Sequence, residues 1–183
     1  MDRKCLALLL VSITGVIIAW LATFNSEISL RNSVVVEREA ELVYQVLTNL
    51  TLHKQFHPLL QEAELLKTVI SSEDVEERLF RVTDEIPLPL GFNLPVTFQV
   101  LVKLTKPNEE AVFDFDAGGT KGVSRWTLRE VTGAMVKVST ELTEASTMQC
   151  VWLTCGFVRR QADWSHRELI DKMKTALENG VVP

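Results

Sequence analysis

Positive charge is sparse and nowhere concentrated in this 183-residue sequence: 19 Lys and Arg stand against 24 Asp and Glu, a formal net charge of -5, with no long basic run. A phosphate-binding surface gathers cations on one face, so the sequence offers no nucleic-acid partner. Cysteine is scarce too. Of the three, Cys5 lies in an apolar run, which leaves Cys150 and Cys155. Five apart on one helix, those two point in different directions and make a poor disulfide. Enzyme motifs are missing as well: there is no Gly-x-Ser-x-Gly elbow, no phosphate-binding glycine loop, no Cys-x-x-Cys and no His-Glu-x-x-His. "DFDAGG" puts two carboxylates at i and i+2 beside Gly118, which reads as a hairpin end rather than an acid/base pair. No catalytic residue, metal ligand or cofactor is therefore assigned.

What the chain does have is apolar content, 46% against 23% charged, enough for one folded domain. Residues 5 to 24, "CLALLLVSITGVIIAWLATF", carry no charge and follow Asp2, Arg3 and Lys4. Twenty helical residues reach roughly 30 Å, the thickness of a bilayer's hydrocarbon core. The run is long for a signal-peptide core and lacks a clear small-x-small cleavage site, so the reading is a membrane anchor over residues 1–26; a cleaved signal peptide is the alternative. Arg3 and Lys4 favour a cytosolic N-terminus and a lumenal or extracellular domain, although Arg31 and Arg38 beyond the run weaken that asymmetry. Asn49-Leu50-Thr51 is a glycosylation sequon, so Asn49 is the modification candidate if the domain is lumenal.

Beyond the anchor, "NSEISLRNSVVVERE" is rich in β-branched residues and reads as a strand. From Ala40 to Leu60 the apolar spacing becomes helical, broken near Asn49 and stopped at Pro58: two short helices. His53 and His57 are four apart there, the spacing that lets two imidazoles share zinc. Pro58 disfavours helical geometry at His57, and a third ligand would have to be His166, so no metal site is read here. From about Glu64 to Ser146 alternation dominates, in runs near 64–71, 76–86, 95–105, 110–117, 123–131 and 134–144, bounded by "SSED", "PLPLGFNLP", "KPNEE", "DAGGTKG" and "VTG". Short connections imply an antiparallel meander with one wet face. Val136, Val138 and Leu142 share the inner parity of its last run. The segment from about Thr147 to Asn179 holds one glycine and no proline, and Val151, Cys155, Val158, Ala162, Leu169, Met173 and Leu177 trace one helical stripe that would cover the sheet.

This order, with "VVVEREAELVYQVLTNLTLHKQFHPLL" opening it, "VSRWTLREV" and "VKVSTEL" within it, and "DWSHRELIDKMKTALE" closing it, resembles the helix-grip fold of the START, birch-allergen and polyketide-cyclase superfamily over residues 27–179. The resemblance implies an α+β domain over residues 27–183: a curved antiparallel sheet of about seven strands wrapped on a long C-terminal helix, with an apolar cavity for a lipid, sterol or other hydrophobic small molecule. Pocket-lining candidates on the inward parities are Phe56, Leu59, Phe80, Val82, Phe98, Val100, Trp126, Leu128 and Val138, with Cys155 and Ala162 as small residues on the helix. Asp84, Thr140 and His166 are polar where the pattern calls for apolar residues, which marks them as specificity groups. Asp84 also sits near a strand end by Pro87, where simple exposure would explain it, and His166 suits a hydrogen-bonded core histidine. In "DEIPLPLGFNLP" the prolines suit a rim flap that places Phe92 and Leu94 against membrane or ligand. Three uses stay open: a membrane-anchored carrier of a hydrophobic molecule, an interaction module with a filled core, and a cyclase- or hydrolase-type enzyme pairing His166 with Asp84.

Overall fold

A computed structural model describes residues 25–88, 91–132 and 138–181. The proposed anchor, residues 5 to 24, lies outside them, as does Val136. No helix among the described residues is long and apolar enough to cross a membrane. The elements are β1 (Asn25–Val36), α1 (Ala40–Thr48), α2 (Leu50–His53), β2 (Leu60–Ile70), β3 (Glu76–Pro87), β4 (Asn93–Lys106), β5 (Glu110–Ala117), β6 (Thr120–Thr132), β7 (Val138–Val151) and α3 (Trp152–Glu178). Seven strands form one antiparallel sheet in the order β1-β7-β6-β5-β4-β3-β2. The meander from β2 to β7 follows from its short turns. Four of them use left-handed backbone: Asp74 (φ +61°) in β2–β3, Gly91 (φ +78°) in β3–β4, Asn108 (φ +65°) in β4–β5, and Gly118 and Gly119 (φ +57° and +100°) in β5–β6. Helices α1 and α2 carry the chain across from β1 to β2, so the first strand ends beside the last.

Alternation sets the faces. Val100, Val102 and Leu104 of β4 point into the core with Phe80, Trp126 and Leu142, while Lys103 faces outward and pairs with Asp114 at 2.5 Å. Each fully buried aliphatic or aromatic side chain contributes roughly 1.5–3 kcal/mol of apolar burial. On α3 the buried stripe is Leu169, Ile170, Met173 and Leu177, at helical spacing. Its C-terminus is clipped to the end of β1: Arg38 Nη2 donates to the Glu178 carbonyl at 2.7 Å, and the Glu37 amide donates to the Glu178 carboxylate at 3.0 Å. A cation on the last carbonyls answers both their unmet acceptors and the helix dipole. The first half of α3 buries only Cys155 and Ser165, because it roofs a cavity rather than the packed core.

The structure moves two boundaries and reverses one expectation. The second short helix ends at His53, and Leu60, read as helical, opens β2. The long helix begins at Trp152, not near Thr147, because residues 147–150 remain strand with ladder partners on both sides, β1 and β6. Met148 and Cys150 are buried and Thr147 and Gln149 exposed, a period of two that the helical stripe through Val151 and Cys155 obscured. With Cys150 on the strand and Cys155 in the first helical turn, their Cα atoms are 5.4 Å apart and the two form a disulfide across the strand–helix corner. The poor geometry expected for that pair assumed a single helix.

Gly122 of β6 is required by packing rather than by backbone angle. A Cβ there would run into the ring of Phe115 and lie 2.8 Å from Met148 Cγ, and both residues line the cavity. Gly122→Ala is expected to cost about 1–3 kcal/mol, read as a lower urea midpoint with an unchanged m-value.

Candidate functional site

Between the concave face of the sheet and the first half of α3 lies a cavity of about 410 Å³, within the range of small-molecule sites. Its walls are mainly apolar. Of the expected lining residues, Leu59, Val82, Asp84, Phe98, Val100, Trp126, Ala162 and His166 are there. The other six are not. Phe56, Phe80 and Leu128 are buried in the core cluster and do not reach the cavity wall, whereas Val82, Val100 and Trp126 of the same cluster do. Thr140 is fully buried and donates to the Arg38 carbonyl at 2.7 Å, fixing the β1–α1 corner. Cys155 is in the disulfide. Val138 opens β7 and is 48% exposed, although its parity is that of the buried Thr140 and Leu142.

The polar groups gather at one place. His166 Nδ1 lies 2.5 Å from Glu144 Oε1. Glu144, wholly buried on β7, also accepts from Ser146 Oγ at 2.6 Å and from Asn32 Nδ2 at 3.1 Å, and Ser146 is 2.5 Å from Ser124, a cavity residue. Burial opposes charge on both partners, yet the ion pair and its hydrogen bonds outweigh it: the Glu144 carboxyl is held below its ordinary range and the His166 imidazole above it. With Nδ1 committed to Glu144, Nε2 is the ring nitrogen left for a ligand. The His57 ring stands edge-on to that of His166, centroids 6.3 Å apart.

Asp84 lines the same cavity, opposite a bulge in β2 between Leu60 and Glu62. Its Oδ1 is buried without a hydrogen-bond partner, and burial pushes its carboxyl up to about 6, against the pull of His166. Exposure at a frayed strand end is thus not its situation. His53 and His57 also line the cavity; His53 is 3% exposed, and burial lowers the two to about 4 and about 3, so both are neutral at pH 7. No group of three or more His, Cys, Asp or Glu suited to a metal ion occurs among the described residues. Glu144 escaped the sequence reading, although it shares parity with Leu142 and Met148. The signal was a charged residue on an inward position, hidden because the strand was ended there.

A fixed imidazole and an unpartnered carboxylate in an apolar chamber offer a donor and an acceptor to one polar group of an otherwise hydrophobic molecule. No protein-family model matches the sequence, and no curated protein matches it significantly. Solved structures do match the fold. The Zhui aromatase/cyclase from a Streptomyces strain superposes with a TM-score of 0.67 at 12% identity, over 85% of this chain and 96% of that one. A START superfamily protein from Mycobacterium smegmatis gives 0.63 at 15% identity, over 82% and 97%. The di-domain aromatase/cyclase StfQ of the steffimycin biosynthetic pathway gives 0.58 at 20% identity, over 83% of this chain and 45% of that one. With its seven-stranded curved sheet gripping α3, this chain has the helix-grip fold shared by START-superfamily and aromatase/cyclase proteins.

Proposed function

We propose that the domain carries a hydrophobic small molecule, a membrane lipid, in the cavity, and that residues 5–24 tether it to the bilayer from which that molecule comes. The carrying observation is the cavity itself: an apolar chamber of about 410 Å³ in which Asp84 Oδ1 is buried without a partner. An unpaired buried carboxylate is costly, and a ligand that donates to it offsets that cost. Such an arrangement also favours a carrier over an interaction module with a filled core. The tether is supported by the twenty uncharged residues and their basic flank. The test is native mass spectrometry, with organic extraction, of residues 25–183 expressed in cells. The expected result is a copurifying apolar molecule that Ala162→Phe, which fills the cavity, removes without unfolding the domain. An empty wild-type domain that accepts no lipid from vesicles would overturn the reading.

One observation favours a second reading, an enzyme of cyclase or hydrolase type. An imidazole oriented by a buried carboxylate is the arrangement of a general base, and His166, held by Glu144 behind it, lines the cavity in that way. Turnover lost in His166→Ala, with the ligand still bound, would establish it.

A further inference from the structure

The register of the sheet brings several features to one rim. Asn25 pairs with Val151, Thr120 with Cys150, Ala117 with Thr120, and Pro87 with Asn93. The start of β1, the end of β7, the β5–β6 turn and the β3–β4 connection therefore lie along the same edge. Residue 24, where the uncharged segment ends, is joined to this edge directly through Asn25. Five large apolar side chains are more than half exposed among the described residues: Ile70, Phe92, Trp152, Leu153 and Val181. Three of them are at this rim: Phe92 beside Asn93, and Trp152 and Leu153 directly after Val151. Leu94, 47% exposed, joins them. The cavity reaches the same edge, where Leu94, Ala117, Gly118, Thr120 and Thr154 line it. The charges nearest the β5–β6 turn, Asp116 and Lys121, pair with each other at 3.0 Å, so that turn presents no net sign.

We infer that this rim is a docking face for a lipid bilayer, with Phe92, Leu94, Trp152 and Leu153 entering the interface and the cavity mouth pressed against it. Aromatic and aliphatic side chains exposed together suit the headgroup–acyl boundary, where Trp is enriched, and a short attachment holds this edge, rather than the opposite one, against the membrane. An apolar ligand would then pass between bilayer and cavity without crossing water. This rests on the tethered-carrier reading and adds the orientation.

The test uses the full chain reconstituted in phosphatidylcholine vesicles, with Phe92, Leu153 or Ile70 replaced one at a time by the photo-crosslinking amino acid benzoylphenylalanine. Ile70 is 62% exposed but lies at the opposite end of the sheet, roughly 40 Å away along a 12-residue strand. The expected result is lipid adducts at positions 92 and 153 and their loss to background at 70. Equal adducts at all three positions, or none at 92 and 153, would overturn the docking face. Alkaline carbonate extraction of the same vesicles reads the tether separately: a chain that stays in the pellet without adducts at 92 and 153 keeps its anchor and loses the docking face. Adducts at those positions from a chain that carbonate releases keep the face and remove the anchor.

Discussion

Glu144→Ala is expected to destabilise the domain by about 3–5 kcal/mol, the loss typical of a buried ion pair deprived of one partner. The substitution strips the acceptor from three groups at once: His166 Nδ1, Ser146 Oγ and Asn32 Nδ2. Chemical denaturation of residues 25–183 at pH 7 measures it, and a change below about 1 kcal/mol would mean that Glu144 is not the hub. Glu144→Gln keeps the shape and removes the charge, so the His166 imidazole should titrate below its position in the wild type, as NMR of the ring protons would show. The pair also bounds stability in pH. Its contribution is fully present between the ordinary glutamate value of 4.5 and the ordinary histidine value of 6.5. It is lost below that window as Glu144 protonates through its lowered pKa, and above it as His166 deprotonates through its raised one.

Asp84→Asn should act in the opposite direction and stabilise the ligand-free domain at alkaline pH. A carboxyl raised from 3.8 to about 6 binds its proton more tightly when folded, so wild-type stability falls as pH rises across that interval. Linkage sets an upper bound of about 3 kcal/mol, and water entering the cavity mouth reduces it to roughly 1–2 kcal/mol. Unfolding midpoints of the two proteins between pH 4 and pH 8 should diverge above pH 4 and stay apart beyond pH 6. Parallel curves would show that Asp84 finds a partner or solvent. Loading the cavity with a ligand that donates to Asp84 should reverse the order, because the charge then has a partner and the ligand binds only the folded state.

The two groups of the site that broke a pattern were legible in advance. Asp84 stands on the parity of Phe80 and Val82, and His166 falls between Ala162 and Leu169 on the helical stripe. Glu144 was not, since judging a charge to be inward requires knowing that β7 continues to Val151 between two neighbouring strands. Phe56, Phe80 and Leu128 were placed in the cavity because an inward parity does not distinguish packed core from cavity wall. That distinction depends on what the opposite layer supplies: Ile170, Met173 and Leu177 pack into the core along the second half of α3, while the first half, from Thr154 to His166, faces the cavity, with Leu169 at the boundary between the two.

By itself the sequence determined the order and type of the elements, the antiparallel meander, the covering helix and the uncharged run before them, because periodicity and turn chemistry are local properties of the chain. The tertiary structure alone decided the Cys150–Cys155 disulfide, the Glu144–His166 pair and the rim that gathers Phe92, Leu94, Trp152 and Leu153. Each of these depends on strand register and on where a strand gives way to a helix, and a shift of one residue in either turns a side chain to the other face.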